Sequence, residues 1–390
     1  MNPGSPVPLL NRVRAEATRL LDEFEAAGGS SPDPYRAEPV FHAMAAGKYL
    51  GAMAALVRTG LLSPTKAAAR AAPVLGRLGA ARLDNPGGGG AAWGLGFEWG
   101  ERPADEPYLV TSAVVARGLA EWRAALGDAT QDAGLADAAL EGIASWVRRW
   151  QAPCSDGGSL PAYSRSLRLP VYNAAALAQA VLLDFLPEAR AAAAEGLHAI
   201  WRRREPGLGW CYDDRNGTID LVHQAYLLRS MRAIVAEPEW SAEALTVMGH
   251  FEGVGEWRDA LFLGDEPPAA ADARWARRHG RRWLLAGEKR ARLWSLGESL
   301  ATLAPRPGAS ATRGWDVRLA ALADNLLRRL AADPQEAGYF RHGMHAAEGL
   351  ARMLEWRRSA TRSDAPADGA AQEAAGARTP GARAAGGAAG

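Results

Sequence analysis

Two kinds of helical segment alternate along this chain, and the alternation limits its possible folds more than any other feature. One kind reads as buried: Val40 to Val57, Tyr108 to Trp122 and Val171 to Phe185, apolar all or nearly all round, and with them Ile219 to Val235, Leu293 to Ala304 and Tyr339 to Leu354. A helix of that composition has to be buried all round. The other kind carries one apolar stripe and one polar face: Leu9 to Glu25, Pro64 to Arg82, Leu135 to Trp150, Glu188 to Arg204, Trp240 to Met248, Ala270 to Leu285 and Asp316 to Leu330. In the third of these the stripe is Leu135, Ala139, Ile143, Trp146, Val147 and Trp150, at helical spacing. No strand alternation is sustained anywhere, so the expected class is all-α. Six inner helices and about six half-wet outer ones describe a double ring, the (α/α)6 barrel. An open solenoid also stacks helix pairs, but a ring lets the helix at the start pair with one at the end.

A repeat supports the ring. Asn173-Ala-Ala-Ala-Leu aligns with His223-Gln-Ala-Tyr-Leu at an offset of 50, and Glu298-Ser-Leu-Ala aligns with Glu348-Gly-Leu-Ala at the same offset. Both pairs fall near the starts of inner segments. Residues 1–358 are therefore expected to form a single toroid, with the helical part beginning at about Leu9. From Ser359 the chain turns to Ala, Gly, Ser, Pro and Arg without apolar periodicity, so 359–390 is expected to be an unstructured tail.

Charge and cysteine content exclude several functions. The 45 basic residues nearly balance 44 acidic ones, which argues against a nucleic-acid partner or general attraction to a membrane surface. Met1 to Pro8 lack the regions of a signal peptide, and Asn173, Gln179 and Asp184 interrupt the most apolar stretch, so no membrane insertion and a cytoplasmic location are expected. Cys154 and Cys211 stand alone, without metal-ligand spacing. No cofactor and no metal are expected.

In a double ring the loops entering the inner helices gather at one mouth. Here they are rich in aromatic and ionisable residues: Trp93, Glu98, Trp99, Arg102 and Tyr108, then Tyr163, Arg165 and Asn173, then Trp210, Tyr212, Asp213, Asp220 and His223, then Glu298, and last His345 and Glu348. Aromatic faces beside carboxylates and amides suit a sugar, whose C–H face stacks while its hydroxyls take polar contacts in a concave pocket. Arg102 and Arg165 have the geometry to hold a uronate carboxylate or a phosphate. Asp220 and His223 share one side of a helix start, with Thr218 expected as its cap. A proton-transfer version makes His223 the base, oriented by Asp220, and Tyr212 or Glu98 the acid. The remaining residues of the set are expected to contact substrate. Asp213 and Asp214 also read as turn formers, and His342, His345 and Glu348 as a hydrogen-bonded network rather than a metal site.

WGLGFEWGERPADEPYLVTSAVV, PVYNAAAL and GLGWCYDDRNGTIDLVHQAYLL together resemble, in that order, helical-toroid proteins of bacterial exopolysaccharide and capsule gene clusters. More distantly the chain resembles uronyl C5-epimerases and other sugar-acting toroids. The resemblance implies an α/α-toroid in a polysaccharide context, a sugar polymer or nucleotide-sugar as substrate, and glycosyltransferases of an assembly system as partners. Three functions stay open: a carbohydrate-active enzyme (epimerase, lyase or hydrolase), a non-catalytic carbohydrate-binding or assembly module, and a zinc-dependent cyclase. The last rests on the Trp210-Cys211-Tyr212 run, which resembles the lanthionine synthetase C-like cyclases. That family also needs a downstream Cys-His pair, and no cysteine follows Cys211.

Overall fold

A computed structural model of the chain describes residues 6–127, 133–253, 257–264, 277–280, 282–286, 289–304 and 313–363. Six of its helices form an inner ring: α2 (Ala43–Arg58), α4 (Leu109–Leu126), α6 (Tyr172–Phe185), α8 (Leu221–Met231), α10 (Leu293–Leu303) and α13 (Phe340–Ser363). Each packs on the next, and α13 returns to α2. Around them stand α1 (Pro6–Ala26), α3 (Pro64–Ala80), α5 (Ala133–Arg149), α7 (Arg190–Arg202), α9 (Glu237–Gly249) and α11 (Arg313–Ala332). The first helix closes the outer layer by packing on α13 and α11. A single short turn of helix, α12 (Pro334–Gly338), leads into α13.

The division between layers follows side-chain chemistry. Helix α2 buries every residue from Ala43 to Leu56, whereas α3 buries only Ala67, Ala71, Val74, Leu75 and Leu78, a single stripe. Two seams in the inner ring are closed by glycine. A Cβ on Gly118 would lie 2.2 Å from the Gly47 carbonyl oxygen, and one on Gly349 would lie 2.3 Å from that of Gly297. Helices α2 and α4, and α10 and α13, therefore touch backbone to backbone. Gly118→Ala is expected to destabilise the fold by about 1–3 kcal/mol, because a rigid backbone atom must move. A calorimetric melting temperature equal to that of the parent would refute this close approach.

Strands enter where the sequence reading expected none. Three of the loops leading into inner helices are two-stranded hairpins: β1 (Ser30–Asp33) with β2 (Arg36–Phe41), β3 (Leu83–Asp84) with β4 (Ala91–Ala92), and β5 (Gln151–Pro153) with β6 (Ser159–Pro161). The fourth entry, β7 (Thr218–Asp220), joins an antiparallel sheet with β8 (Ala260–Gly264), β9 (Arg277–His279) and β10 (Arg282–Ala286), in the order β7-β8-β10-β9. The helix expected over Ala270 to Leu285 is thus not formed. Residues 270–276 lie outside the described set, and the rest pairs as strands about Gly280, whose φ of 57° turns the chain.

Helix α13 runs through Ser363, beyond the expected boundary at Arg358. Its closing turns continue a helix already nucleated and packed, which outweighs local composition. Residues 364–390, the remainder of the expected tail, lie outside the described residues. No described helix is long and apolar enough to cross a membrane.

Candidate functional site at the mouth of the inner ring

The first N–H groups of a helix have no partner within it. In this ring the loop of the following unit often supplies one. Leu109 N donates to Tyr163 O at 2.8 Å, Tyr172 N to Tyr212 O at 3.4 Å and Leu221 N to Asp259 O at 2.8 Å. Leu293 N donates to Glu336 Oε1 at 2.7 Å, and Phe340 N to Ser31 Oγ at 2.9 Å. Five of the six inner helices are tied in this way. Each entry loop therefore overhangs the neighbouring helix start, and the loops meet at one mouth.

Aromatic rings line much of that mouth in sequence. The Arg102 guanidinium stands 5.0 Å over Trp99, Trp99 lies edge-on to Tyr108 at 6.2 Å, and Tyr108 lies 5.6 Å from Tyr163. The phenols of Tyr163 and Tyr212 face each other, and Tyr212 meets His223 at 4.7 Å. His223 Nδ1 is 3.3 Å from Asp220 Oδ1, close but off line for a hydrogen bond. Arg292 is 4.0 Å from Asp220, pairs with Asp259 at 2.7 Å and lies over Trp294. Trp294 stacks on His342 at 5.0 Å and also carries the Arg341 guanidinium, which Asp33 holds with both oxygens.

Electrostatics at the mouth follow from this crowding. Burial pushes the Tyr108 and Tyr212 phenols up to about 12, with the Arg102 charge working against it. Burial also raises Tyr163. Asp220 is a carboxylate that burial alone would raise, yet His223 and Arg292 outweigh burial and lower it. Burial lowers His342, whose Nδ1 faces Glu336 Oε1 at 3.0 Å. A ring nitrogen facing a carboxylate keeps its proton, which leaves Nε2 as a lone pair.

Six buried polar atoms in the first turns of inner helices have no hydrogen-bond partner among the described residues. They are Tyr108 Oη, Thr111 Oγ1, Asn173 Oδ1, His223 Nδ1, Trp294 Nε1 and His342 Nε2. Folded proteins rarely leave such atoms unmet, and their gathering at one end of five helices marks a place for polar ligand atoms or water. Arg102, half-buried beside three tyrosines, has no carboxylate partner among the described residues.

The residues singled out from sequence divide into three groups. Trp99, Arg102, Tyr108, Tyr163, Tyr212, Asp220 and His223 form the aromatic row, and Asn173 starts the neighbouring α6. Glu98 and Arg165 are exposed, and Arg165 donates to the Asp84 carbonyl at 3.2 Å. The others are enclosed. Trp93 and Trp210 have no exposed surface, and their indoles donate to the carbonyls of Leu78 and Ile200, both at 2.9 Å, near the ends of outer helices. Their backbones are clamped in parallel ways: Ser112 binds both N and O of Trp93, and Gln224 does the same for Trp210. These two tryptophans are wall, not lining.

Asp213 Oδ1 accepts from the amides of Arg215 and Asn216, so it shapes the turn. Asp220 itself caps α8, accepting from Val222 N at 3.0 Å; Thr218 belongs to β7 instead. The strand pairing of Asp220 with Ala260 decides this, a partner 40 positions away. Glu298, His345 and Glu348 lie beneath the mouth. His345 accepts from Tyr226 Oη through Nε2 at 2.5 Å and donates from Nδ1 to the Arg341 carbonyl. Glu298 and Glu348 both meet Lys48 and Arg229: Arg229 reaches them at 3.0 and 2.7 Å, and Lys48 lies 2.8 Å from Glu348. The sequence reading passed over Lys48, although a lone lysine within an all-apolar helix signals a buried counter-charge. Arg292, two positions before Trp294, and Arg341, one before His342, carry no such signal. Cys154 and Cys211 are free thiols, and no described group of three His, Cys, Asp or Glu comes together as a metal site.

No family model matches the chain, and no curated protein does. Solved structures do. Rex8A from Paenibacillus barcinonensis, in complex with xylose, matches with a TM-score of 0.50 at 11% identity over 89% of this chain and 94% of that one. A protein from Actinoplanes matches with a TM-score of 0.48 at 16% identity, over 91% and 100% of the two chains. A reducing-end xylose-releasing exo-oligoxylanase gives 0.48 at 13% identity, over 88% and 93%. The chain is an (α/α)6 barrel. At these identities the likeness is one of fold, as the closed contacts of the inner ring require independently.

Proposed function

We propose that the mouth of the inner ring holds an acidic sugar unit of a polysaccharide and that His223 moves a proton on it. The observation that carries this reading is the set of unmet buried polar atoms beside the aromatic row and Arg102. Hydroxyl groups of a sugar satisfy such atoms, its C–H face stacks on Trp99 or Tyr212, and a uronate carboxylate neutralises Arg102. The xylose-bound state of Rex8A is a property of that protein, and it is consistent with a sugar as ligand of this fold.

For the chemistry, a small turn of the His223 ring brings Nδ1 into line with Asp220 Oδ1, 3.3 Å away, so that the carboxylate holds the Nδ1 proton once substrate is bound and Nε2 is left as the base. Nε2 takes the proton from the carbon next to the uronate carboxylate, and the electron pair of that C–H bond passes into the carboxylate π system. Tyr212, a phenol that is protonated at neutral pH and that burial raises further, to about 12, donates the returning proton. Glu98, exposed and away from the row, is not given this role. The reading places the chain in polysaccharide assembly, alongside glycosyltransferases.

Purified protein presented with oligouronides and with neutral oligosaccharides tests this directly. His223→Ala is expected to lower turnover by about 10²–10⁴-fold, while oligouronide binding and the melting temperature stay near those of the parent. Full activity in a folded His223→Ala would eliminate the proton-transfer role. Parent protein that binds oligouronides without converting them would instead establish the non-catalytic binding module.

A further inference from the structure

The opposite end of the ring holds a cavity of about 420 Å³ among the later turns of the inner helices. Five guanidinium groups line it, from Arg58, Arg117, Arg229, Arg232 and Arg352, against the three carboxylates of Glu121, Asp184 and Glu355. The carboxylates are shared. Glu121 lies 3.6 Å from Arg117 and 3.9 Å from Arg229 and also meets Arg352, while Glu355 meets both Arg58 and Arg352. With the deeper Lys48, Glu298 and Glu348 included, and Glu237 that pairs with Arg232 at 3.1 Å, six cations face six carboxylates, so what the basin offers an anion is spare guanidinium N–H groups rather than net charge.

Two opposing effects need weighing. Carbonyl groups at the ends of the inner helices add partial negative charge here, which works against an anion. Arg232 offsets part of it by donating to the carbonyls of Thr302 at 3.4 Å and Ala304 at 2.9 Å. On the other side, Arg117 Nε is buried and donates to no acceptor among the described residues. Burial alone would raise the Glu121 carboxyl, yet Arg352, Arg229 and Arg117 outweigh burial and lower it, so guanidinium groups dominate the surroundings of that carboxylate.

We propose that this basin is a second ligand site, taking a small phosphate-bearing anion. Guanidinium forks arriving from α2, α4, α8 and α13 suit a tetrahedral group with several oxygens better than a flat carboxylate. The volume falls in the range of small-ligand sites. The site is independent of the sugar reading, because the layer of Lys48, Glu298, Glu348 and Arg229 separates the basin from the aromatic mouth.

Calorimetric titration with inorganic pyrophosphate at constant ionic strength, on the full chain, tests the proposal. Saturable binding of one pyrophosphate per chain is expected. Arg117→Gln should weaken it by about tenfold or more, the effect of losing one charge-assisted contact. Asp184→Asn should tighten it several-fold, since this carboxylate at the rim, 30% exposed, competes for Arg117. Heat no greater than that of a matched sodium chloride titration would overturn the proposal, as would an affinity that Asp184→Asn leaves unchanged. Circular dichroism checks the fold of Arg117→Gln; if that variant fails to fold, the Asp184→Asn result decides.

Discussion

Glu348→Ala is expected to lower the stability of the fold by about 3–5 kcal/mol, because it strands buried cations without a counter-charge. The carboxylate sits between Lys48, Arg229 and Arg352, with almost no exposed surface. Burial by itself would raise its carboxyl, but those three cations outweigh burial and hold it well below the usual range. The pH dependence follows from that direction. The contribution is fully present above the ordinary glutamate value of about 4.3 and is lost as pH falls through the lower folded value. Glu348→Gln should therefore flatten the acid limb of the stability curve. Lys48→Met combined with Glu348→Met should cost less than the sum of the single changes, since the pair is coupled. Urea unfolding measures all of this. A loss below about 1 kcal/mol in Glu348→Ala would mean that the network is no more than a surface ion pair in its effect.

Trp210→Ala is expected to cost about 3–5 kcal/mol as well, by a different route, because it empties a filled space and removes one of the two donors, Trp210 Nε1 and Arg203 N, that meet the Ile200 carbonyl. The indole is fully enclosed, tilted against Trp201 at 5.7 Å and fixed at its backbone by Gln224. Trp210→Phe, which keeps much of the volume and drops only the N–H, should recover a large part of the loss. Denaturant midpoints for the two variants separate packing from hydrogen bonding. Were Trp210 part of the sugar-binding surface, Trp210→Ala would instead fold with near-parent stability and fail to bind glycan.

Much of the ring was legible in the sequence, because helix burial writes a period into composition. Val171 to Phe185 could not be a surface helix, and Leu135 to Trp150 could not be a central one. The strands were not legible for an equally physical reason. Asp220 becomes a cap through pairing with Ala260, and β10 forms against β8, so both depend on partners distant in sequence. The site shows the same split. Tyr212, Asp220 and His223 announced themselves by local spacing on a helix start. Trp93 and Trp210 looked the same in sequence but are turned inward, and only the clamps from Ser112 and Gln224, on neighbouring inner helices, show it. Glu298 and Glu348 matched in register, and their shared contacts with Lys48 and Arg229 give that match its meaning.

Under the proposed function, the salt-bridged layer across the ring axis has a consequence for how a long glycan would travel. Lys48, Arg229, Glu121, Glu298 and Glu348 reach inward from α2, α8, α4, α10 and α13 and meet on one another. Among the described residues this layer closes the ring across its axis, so the barrel is not an open tunnel there. A polymer cannot be threaded through it or held by encirclement, so whatever enters the aromatic mouth must leave by the same opening. A chain end fits that geometry, or a stretch laid across the rim, with release between encounters rather than continuous sliding.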